Sequence, residues 1–201
     1  MITVVGMGPG NPDFIFEAGK QAIREADFVI GSKRQLEMVQ LEQDKACLLP
    51  PNFQELRCLL LTCIDDQLVI LASGDPLTYG IGNWLLKTFE AKKVRIIPGI
   101  SAIHYLFSQV QLSMEDCFIT SSHGRTPDFD RIATMPKVGM VTDKKIGPYQ
   151  IAQEVLKRGG KKKMLIGESL SYPNQRLRWY LLKEVPDEDY EMNVVVIVDE
   201  G

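Results

Sequence analysis

In the first half of the chain the apolar positions fall into short, almost unbroken runs: Ile2-Thr3-Val4-Val5, Phe28-Val29-Ile30, Cys47-Leu48-Leu49, Leu68 to Ala72, and Val94 to Ile97. Runs this short, closed by turn residues, predict strands, and the continuous β-branched run Leu68 to Ala72 predicts one buried on both faces. Between them the period lengthens. Glu17 to Ala26 stacks Ala18, Ala22 and Ala26 at intervals of four, and Ser32 stands where it can cap a helix running to Val39. Phe53 to Ile64 places Phe53, Leu56, Leu60, Cys63 and Ile64 on one face. Further helices are predicted from about Gly80 to Phe89 and from Ser101 to about Val110. Strands alternating with helices through short connections predict a mostly parallel sheet with right-handed crossovers.

The pattern lapses over Gln111 to Asp116, which is polar and aperiodic, so the expected division is into an N-terminal α/β domain, 1–112, and a C-terminal α/β domain, 113–201. The second half restarts with a strand at Cys117–Ser121, a loop through Arg125 and a helix from about Asp128. A strand at Val138–Thr142 and a helix at Tyr149–Arg158, ended by Gly159-Gly160, follow. The run Lys161-Lys162-Lys163 reads as solvated, ahead of a strand at Met164–Gly167. The last two apolar runs, Arg176–Leu182 and Asn193–Val198, have no helix between them, which makes the second sheet mixed.

Composition narrows the class. With 45% apolar and 24% charged residues in 201, the chain is an ordinary globular sequence. A net charge of −3 argues against nucleic-acid binding, which normally needs a basic face. No apolar run approaches the roughly 20 residues of a membrane span. Met1 to Gly6 leads straight into a strand without an export signal, so the expected location is the cytoplasm. Cys47, Cys58, Cys63 and Cys117 form no CxxC pair and no metal-ligand spacing with His104 or His123. They are expected to be reduced thiols, Cys47 and Cys117 in strands and the other two on an apolar helix face, with no metal site.

The chemistry is concentrated where strands end. Leu68 to Gly82 is a buried strand broken by Ser73-Gly74-Asp75-Pro76, a turn that exposes backbone amides and one carboxylate at a carboxyl edge, where ligands of open α/β sheets bind. It is also what an ordinary strand-to-helix turn looks like. Gly6-Met7-Gly8-Pro9-Gly10 follows the first strand, but Asn11 replaces the last glycine of GxGxxG and Pro9 and Pro12 oppose a helix under a pyrophosphate. Asp27 stands at the start of the second strand rather than at its end, so a nicotinamide site is disfavoured. A close approach of backbone to some other ligand is compatible with these glycines.

GMGPGNP at 6–12, ASGDPLTYGIG at 72–82 and IPGISA at 97–102 together resemble the tetrapyrrole methylases. VIGSKRQLE at 29–37, SSHGR at 121–125 and GESLSYP at 167–173 are similar to the branch acting on carbon 5 of the cobalamin-precursor ring. The resemblance implies two α/β domains with a cofactor cleft between them, S-adenosyl-L-methionine as cofactor, and methyl transfer to a corrinoid ring. It implies cofactor contacts at Gly8, Pro9, Gly10, Ser73, Gly74, Asp75, Thr78, Ser101 and Ala102, and in the second domain around Thr142, Ser169 and Leu170. A sulfonium is a cation, so backbone carbonyls and a carboxylate such as Asp75 suit it. The acetate and propionate arms of the ring call for cations: Arg125 first, then Arg34 and Lys33, with His123 and Tyr79 as further candidates. His104 reads as structural, and no side chain stands out as a general base. A homodimer is expected, and because the chain ends after its last strand, methylation at carbon 15 with decarboxylation would fall to a separate protein. A sibling methylase with another target and a non-catalytic cofactor-binding subunit are the alternatives.

Overall fold

The computed structural model describes residues 1–42 and 44–200. Its contacts divide the chain into two units, Met1–Ser101 and Ala102–Gly201.

The first unit contains β1 (Ile2–Gly6), α1 (Glu17–Glu25), β2 (Phe28–Gly31), α2 (Lys33–Val39), β3 (Ala46–Leu48), α3 (Phe53–Thr62), β4 (Leu68–Ala72), α4 (Gly82–Thr88) and β5 (Val94–Ile97). The five strands are all parallel, in the order β3-β2-β4-β1-β5. Because successive strand side chains point to opposite faces, each run supplies two cores. Ile2, Val4, Ile30, Leu68 and Ile70 pack under Leu56 and Leu60 of α3 and Leu85 of α4. Val5, Val29, Val69 and Leu71 pack under Ile23 of α1 and Leu36 of α2. That is why β1 and β4 are apolar at every or nearly every position: each is buried throughout.

The second unit contains α5 (Ala102–Gln109), β6 (Phe118–Ser121), α6 (Phe129–Thr134), β7 (Lys137–Val141), α7 (Pro148–Leu156), β8 (Lys162–Glu168), β9 (Arg176–Leu181) and β10 (Asn193–Asp199). Its sheet order is β6-β7-β10-β8-β9. Only β6 and β7 run parallel; β10 is antiparallel to β7 and β8, and β9 to β8, so the sheet is mixed as expected.

Four expectations change here. The break falls at 101/102 rather than within 111–116, because α5 serves the second sheet. Ile103, Leu106 and Phe107 of α5 cover Leu165, Val194 and Val196, while α6 and α7 cover the opposite face through Ile132, Ile151 and Val155. Lys162 is not a solvated residue ahead of a strand: it lies inside β8, 2% exposed, with its ammonium on the Met135 carbonyl (2.7 Å) and the Asp199 carboxylate. Phe53 is half-exposed and stacks on Trp84 at 4.7 Å instead of entering the core. Of the cysteines, all four are free; Cys58 is exposed, Cys63 caps α3 and Cys117 precedes its strand. Burial pushes the Cys47 and Cys117 thiols up, which keeps them protonated and unreactive at neutral pH.

Candidate functional site

In the first unit β4, β1 and β5 are neighbours and parallel, so their carboxyl ends share one edge. Two of the three loops that leave this edge, those after β1 and β4, are joined by backbone. Gly8 and Gly74 exchange hydrogen bonds (Gly8 N to Gly74 O 3.2 Å, Gly74 N to Gly8 O 2.9 Å), an isolated antiparallel bridge just beyond the parallel β1–β4 pairing. Gly8 and Gly74 hold φ of 70° and 64°, a left-handed backbone that glycine adopts without steric cost. Gly99 is packed so closely that a β-carbon there would stand 2.2 Å from the Gly74 carbonyl oxygen. The sequence-predicted Gly8, Pro9, Gly10, Ser73, Gly74, Asp75, Thr78 and Ser101 thus all belong to loops of one sheet edge. Gly8, Pro9, Gly10 and Ser101 are buried.

Asp75 is not a free carboxylate. Its Oδ1 accepts from the Leu77 and Thr78 amides, both at 2.9 Å, and from the Thr78 hydroxyl at 3.1 Å; its Oδ2 accepts from the Gly99 amide at 3.3 Å. The side chain folds the turn after β4 and ties it to the turn after β5. Ser73 is held from another element: its Oγ accepts from Gln35 Nε2 at 3.2 Å and Arg34 Nη2 at 3.3 Å. Arg34 therefore lies beside the turn after β4, on exposed ground. Gln35 is a residue that sequence reasoning passed over. It is 4% exposed and closes a capping box with Ser32 at the start of α2. The Ser-x-x-Gln spacing was visible, but it announces a helix start and says nothing of Ser73. Tyr79 is 40% exposed with φ of 55°, a strained conformation for a non-glycine residue.

In the second unit one edge again gathers the named residues. The ends of β6, β7 and β8 meet the beginnings of β9 and β10, with Val141 opposite Val194 and Glu168 opposite both Asn193 and Arg176. His123 and Arg125 follow β6 and are exposed. Their loop is held by Asp143, whose Oδ2 accepts from the Gly124 amide at 2.9 Å and whose Oδ1 accepts from Lys145 and Ile146. The amides of Gly124 and Ile146 hold the Asp143 carboxyl below the usual aspartate range. Thr142 is buried, and its hydroxyl is directed to Asn193, 2.7 Å from the side-chain oxygen. Ser169, with φ of 46°, begins the turn after β8, and Leu170 is buried in the core with Leu106. Ala102 starts α5.

Sequence reading also missed Glu168, which is wholly buried and ion-paired to Arg176 at 3.0 Å and Arg178 at 2.8 Å. Its partners lie eight and ten residues on and are recognisable only once β8 and β9 pair. A concavity over α6 and α7, lined among others by Thr126, Phe129, Ile146 and Glu154, contains none of the sequence-predicted site residues. No group of His, Cys, Asp and Glu suited to a metal ion occurs among the described residues. No helix among them is long and apolar enough to cross a membrane.

The first unit's edge offers backbone amides and carbonyls and hydroxyls at Ser73, Thr78 and Ser101 to a small polar molecule, and its loops at 6–12, 72–82 and 97–102 contain no thiol.

Comparison with known proteins agrees. A family model described as Tetrapyrrole (Corrin/Porphyrin) Methylases matches residues 1–186. The chain is 44% identical over 201 residues, all of both chains, to cobalt-precorrin-7 C(5)-methyltransferase of Salmonella typhimurium. It is 27% identical over 180 residues to the Sinorhizobium precorrin-6Y C(5,15)-methyltransferase [decarboxylating], matching 88% of this chain and 44% of that one. Among solved structures, the precorrin-6Y methylase of Archaeoglobus fulgidus superposes with a TM-score of 0.80 at 20% identity, covering 100% of this chain and 99% of that one. Uroporphyrin-III C-methyl transferase from Thermus thermophilus, complexed with S-adenosyl homocysteine, gives 0.80 at 22% identity, covering 98% and 96%.

Proposed function

Because the chain belongs to the tetrapyrrole methylase family, we propose that it methylates carbon 5 of a cobalamin-precursor macrocycle, cobalt-precorrin-7 or precorrin-6Y, using S-adenosyl-L-methionine. The observation that carries the reading is the full-length similarity to the Salmonella enzyme; the shared edge of three loops in the first unit supports it.

When bound, S-adenosyl-L-methionine supplies an electrophilic methyl group for in-line displacement by a ring carbon. This chain's part is chiefly to position the reactants, which is where most of the rate comes from in such a transfer. Gly8, Pro9, Gly10, Ser73, Gly74, Thr78 and Ser101 form the floor for the cofactor, presenting backbone that glycine leaves uncovered. Asp75 acts on that floor from behind, by fixing two of its loops. Ala102, Thr142, Ser169 and Leu170 are the second unit's contribution, Thr142 through its backbone because its hydroxyl is engaged with Asn193. Arg125 binds a carboxylate arm of the ring, and His123, Tyr79 and Arg34 are further substrate-binding residues. The ring carbon is the nucleophile, and no nucleophilic side chain and no covalent enzyme intermediate are required.

The protein works in the cytoplasm as a homodimer, and methylation at carbon 15 with decarboxylation is the work of a separate protein. The Sinorhizobium relative, whose name covers both carbons, matches this chain over 44% of its own length. Incubation with cofactor and purified cobalt-precorrin-7, followed by mass spectrometry, should give one added methyl group, at carbon 5 by NMR. A ring returned unmethylated would remove the substrate assignment. Light scattering of the purified protein would test the dimer.

A further inference from the structure

The edge of the second sheet holds a cation, Arg176, that neither the sequence motifs nor the proposed site account for. Arg176 opens β9, directly opposite Glu168 in the strand register and therefore beside Ser169. Glu168 does not depend on it. The Glu168 Oε2 accepts from Arg178 Nη2 at 2.8 Å, and Oε1 accepts from the Glu191 amide at 3.2 Å, so each oxygen of this fully buried carboxylate already has a donor. Arg176 Nη2 is a further donor to Oε1, at 3.0 Å.

The two arginines differ in what else they do. Arg178 also pairs with Glu188 at 2.8 Å, and its guanidinium lies over the rings of Tyr180 and Tyr190 at 5.7 and 5.9 Å. It is the structural partner. The Arg176 side chain is 53% exposed and makes no other ion pair or hydrogen bond among the described residues. A guanidinium carries five N–H donors in a planar fork, and the bond to Glu168 uses one. Glu168 thus orients Arg176 without consuming it, and the side-chain entropy of an exposed arginine is largely paid before any ligand arrives.

The turn that leads into Arg176 is equally fixed. Ser169 and Ser171 both hold left-handed φ, 46° and 66°. Tyr172 N donates to Ser169 O at 3.0 Å, Ser171 N to Gln175 Oε1 at 2.7 Å and Asn174 Nδ2 to Ser169 Oγ at 3.3 Å. Strained backbone of this kind persists where surrounding structure over-determines it, and it concentrates at ligand sites.

We propose that Arg176 is a further substrate-binding residue, receiving one carboxylate arm of the macrocycle at the rim of the second sheet, with Glu168 as its positioning residue. This rests on the reading that the substrate is a ring bearing acidic arms. Variants Arg176→Gln and Arg176→Lys test it, with ring affinity read from quenching of tryptophan fluorescence by cobalt-precorrin-7 and cofactor-site affinity from calorimetry with S-adenosylhomocysteine. Arg176→Gln should weaken ring binding by about ten- to a hundred-fold, as loss of a charge-assisted hydrogen bond does. Arg176→Lys should recover part of that loss. S-adenosylhomocysteine affinity and melting temperature should not move, because Glu168 keeps Arg178 and the Glu191 amide. Equal ring affinity in wild type and Arg176→Gln would overturn the assignment, as would a parallel fall in S-adenosylhomocysteine affinity and melting temperature. If the wild type binds the ring but does not methylate it, the carbon-5 function fails while the affinity comparison still decides Arg176. If the wild type does not bind the ring, both fall.

Discussion

At Asp75 three donors converge on one carboxylate oxygen and a fourth reaches the other, so a residue placed to look like a ligand is spent on the shape of two loops. Its replacement should therefore act on binding through the backbone. Asp75→Ala is expected to weaken S-adenosylhomocysteine at least ten-fold by calorimetry and to cost about 1–3 kcal/mol in urea unfolding, the range for hydrogen bonds to a partly buried charged group. Unchanged affinity would separate this turn from the cofactor site. Gly99 is the harder test of the same joint. A β-carbon 2.2 Å from the Gly74 carbonyl must push the β4 and β5 loops apart, so Gly99→Ala should lose roughly 2–4 kcal/mol and most cofactor affinity. Asp143 gives a pH signature. Its folded pKa is depressed, so the stability it lends to the Gly124 loop is fully present above the ordinary aspartate value near 4 and is lost as pH falls through the depressed value. Hydrogen exchange at the Gly124 amide should be slow at pH 6 and, after correction for intrinsic rate, less protected as acid protonates Asp143. Asp143→Asn should remove that dependence.

Among the elements, α5 is the instructive one. Its apolar residues were plain in the sequence, but which sheet they serve was not, because a helix face carries no address. The parallel first sheet already has α3 and α4 on one face and α1 and α2 on the other, so the vacancy lies on the second sheet, where α5 packs. The contact is made possible by Gly139 in β7, where a β-carbon would stand 2.6 Å from Ile103 Cγ2. Gly139→Val should displace α5 and destabilise the protein by about 1–3 kcal/mol, read as a lower urea midpoint with unchanged slope. The turn after β8 behaves in the opposite sense. Ser171 pays for a left-handed backbone that glycine adopts freely, so Ser171→Gly should be neutral to about 1 kcal/mol stabilising by the same measurement. The sequence signalled this turn through its similarity to a known motif, but serine, asparagine and proline predict a turn of any conformation.

For the whole molecule, charge and ligand linkage give the broad test. The net charge is −3 and the proposed substrate is a polyanion, so attraction must be local, through Arg125, Arg176 and Arg34. The KM for the ring should rise with ionic strength as the Debye length shortens from about 8 Å at physiological salt, while S-adenosylhomocysteine affinity changes little. What the sequence determined alone was whatever local chemistry enforces. Short apolar runs between glycines and prolines make strands, alternation with helices makes the first sheet parallel, and missing helices make the second mixed. The motifs at 6–12, 72–82 and 97–102 also fixed the family, because three separate strand-end turns had to agree. Tertiary structure decided what depends on partners distant in sequence. It set the neighbouring order β4-β1-β5 that puts those turns on one edge, and gave α5 to the second unit. It buried Lys162 against Asp199, occupied Asp75 with amides, and brought Arg176 to Glu168. A carboxylate or an ammonium reads as the same charge wherever it stands in a sequence. Whether it is free for a ligand depends on which donors and acceptors the fold brings within hydrogen-bond reach.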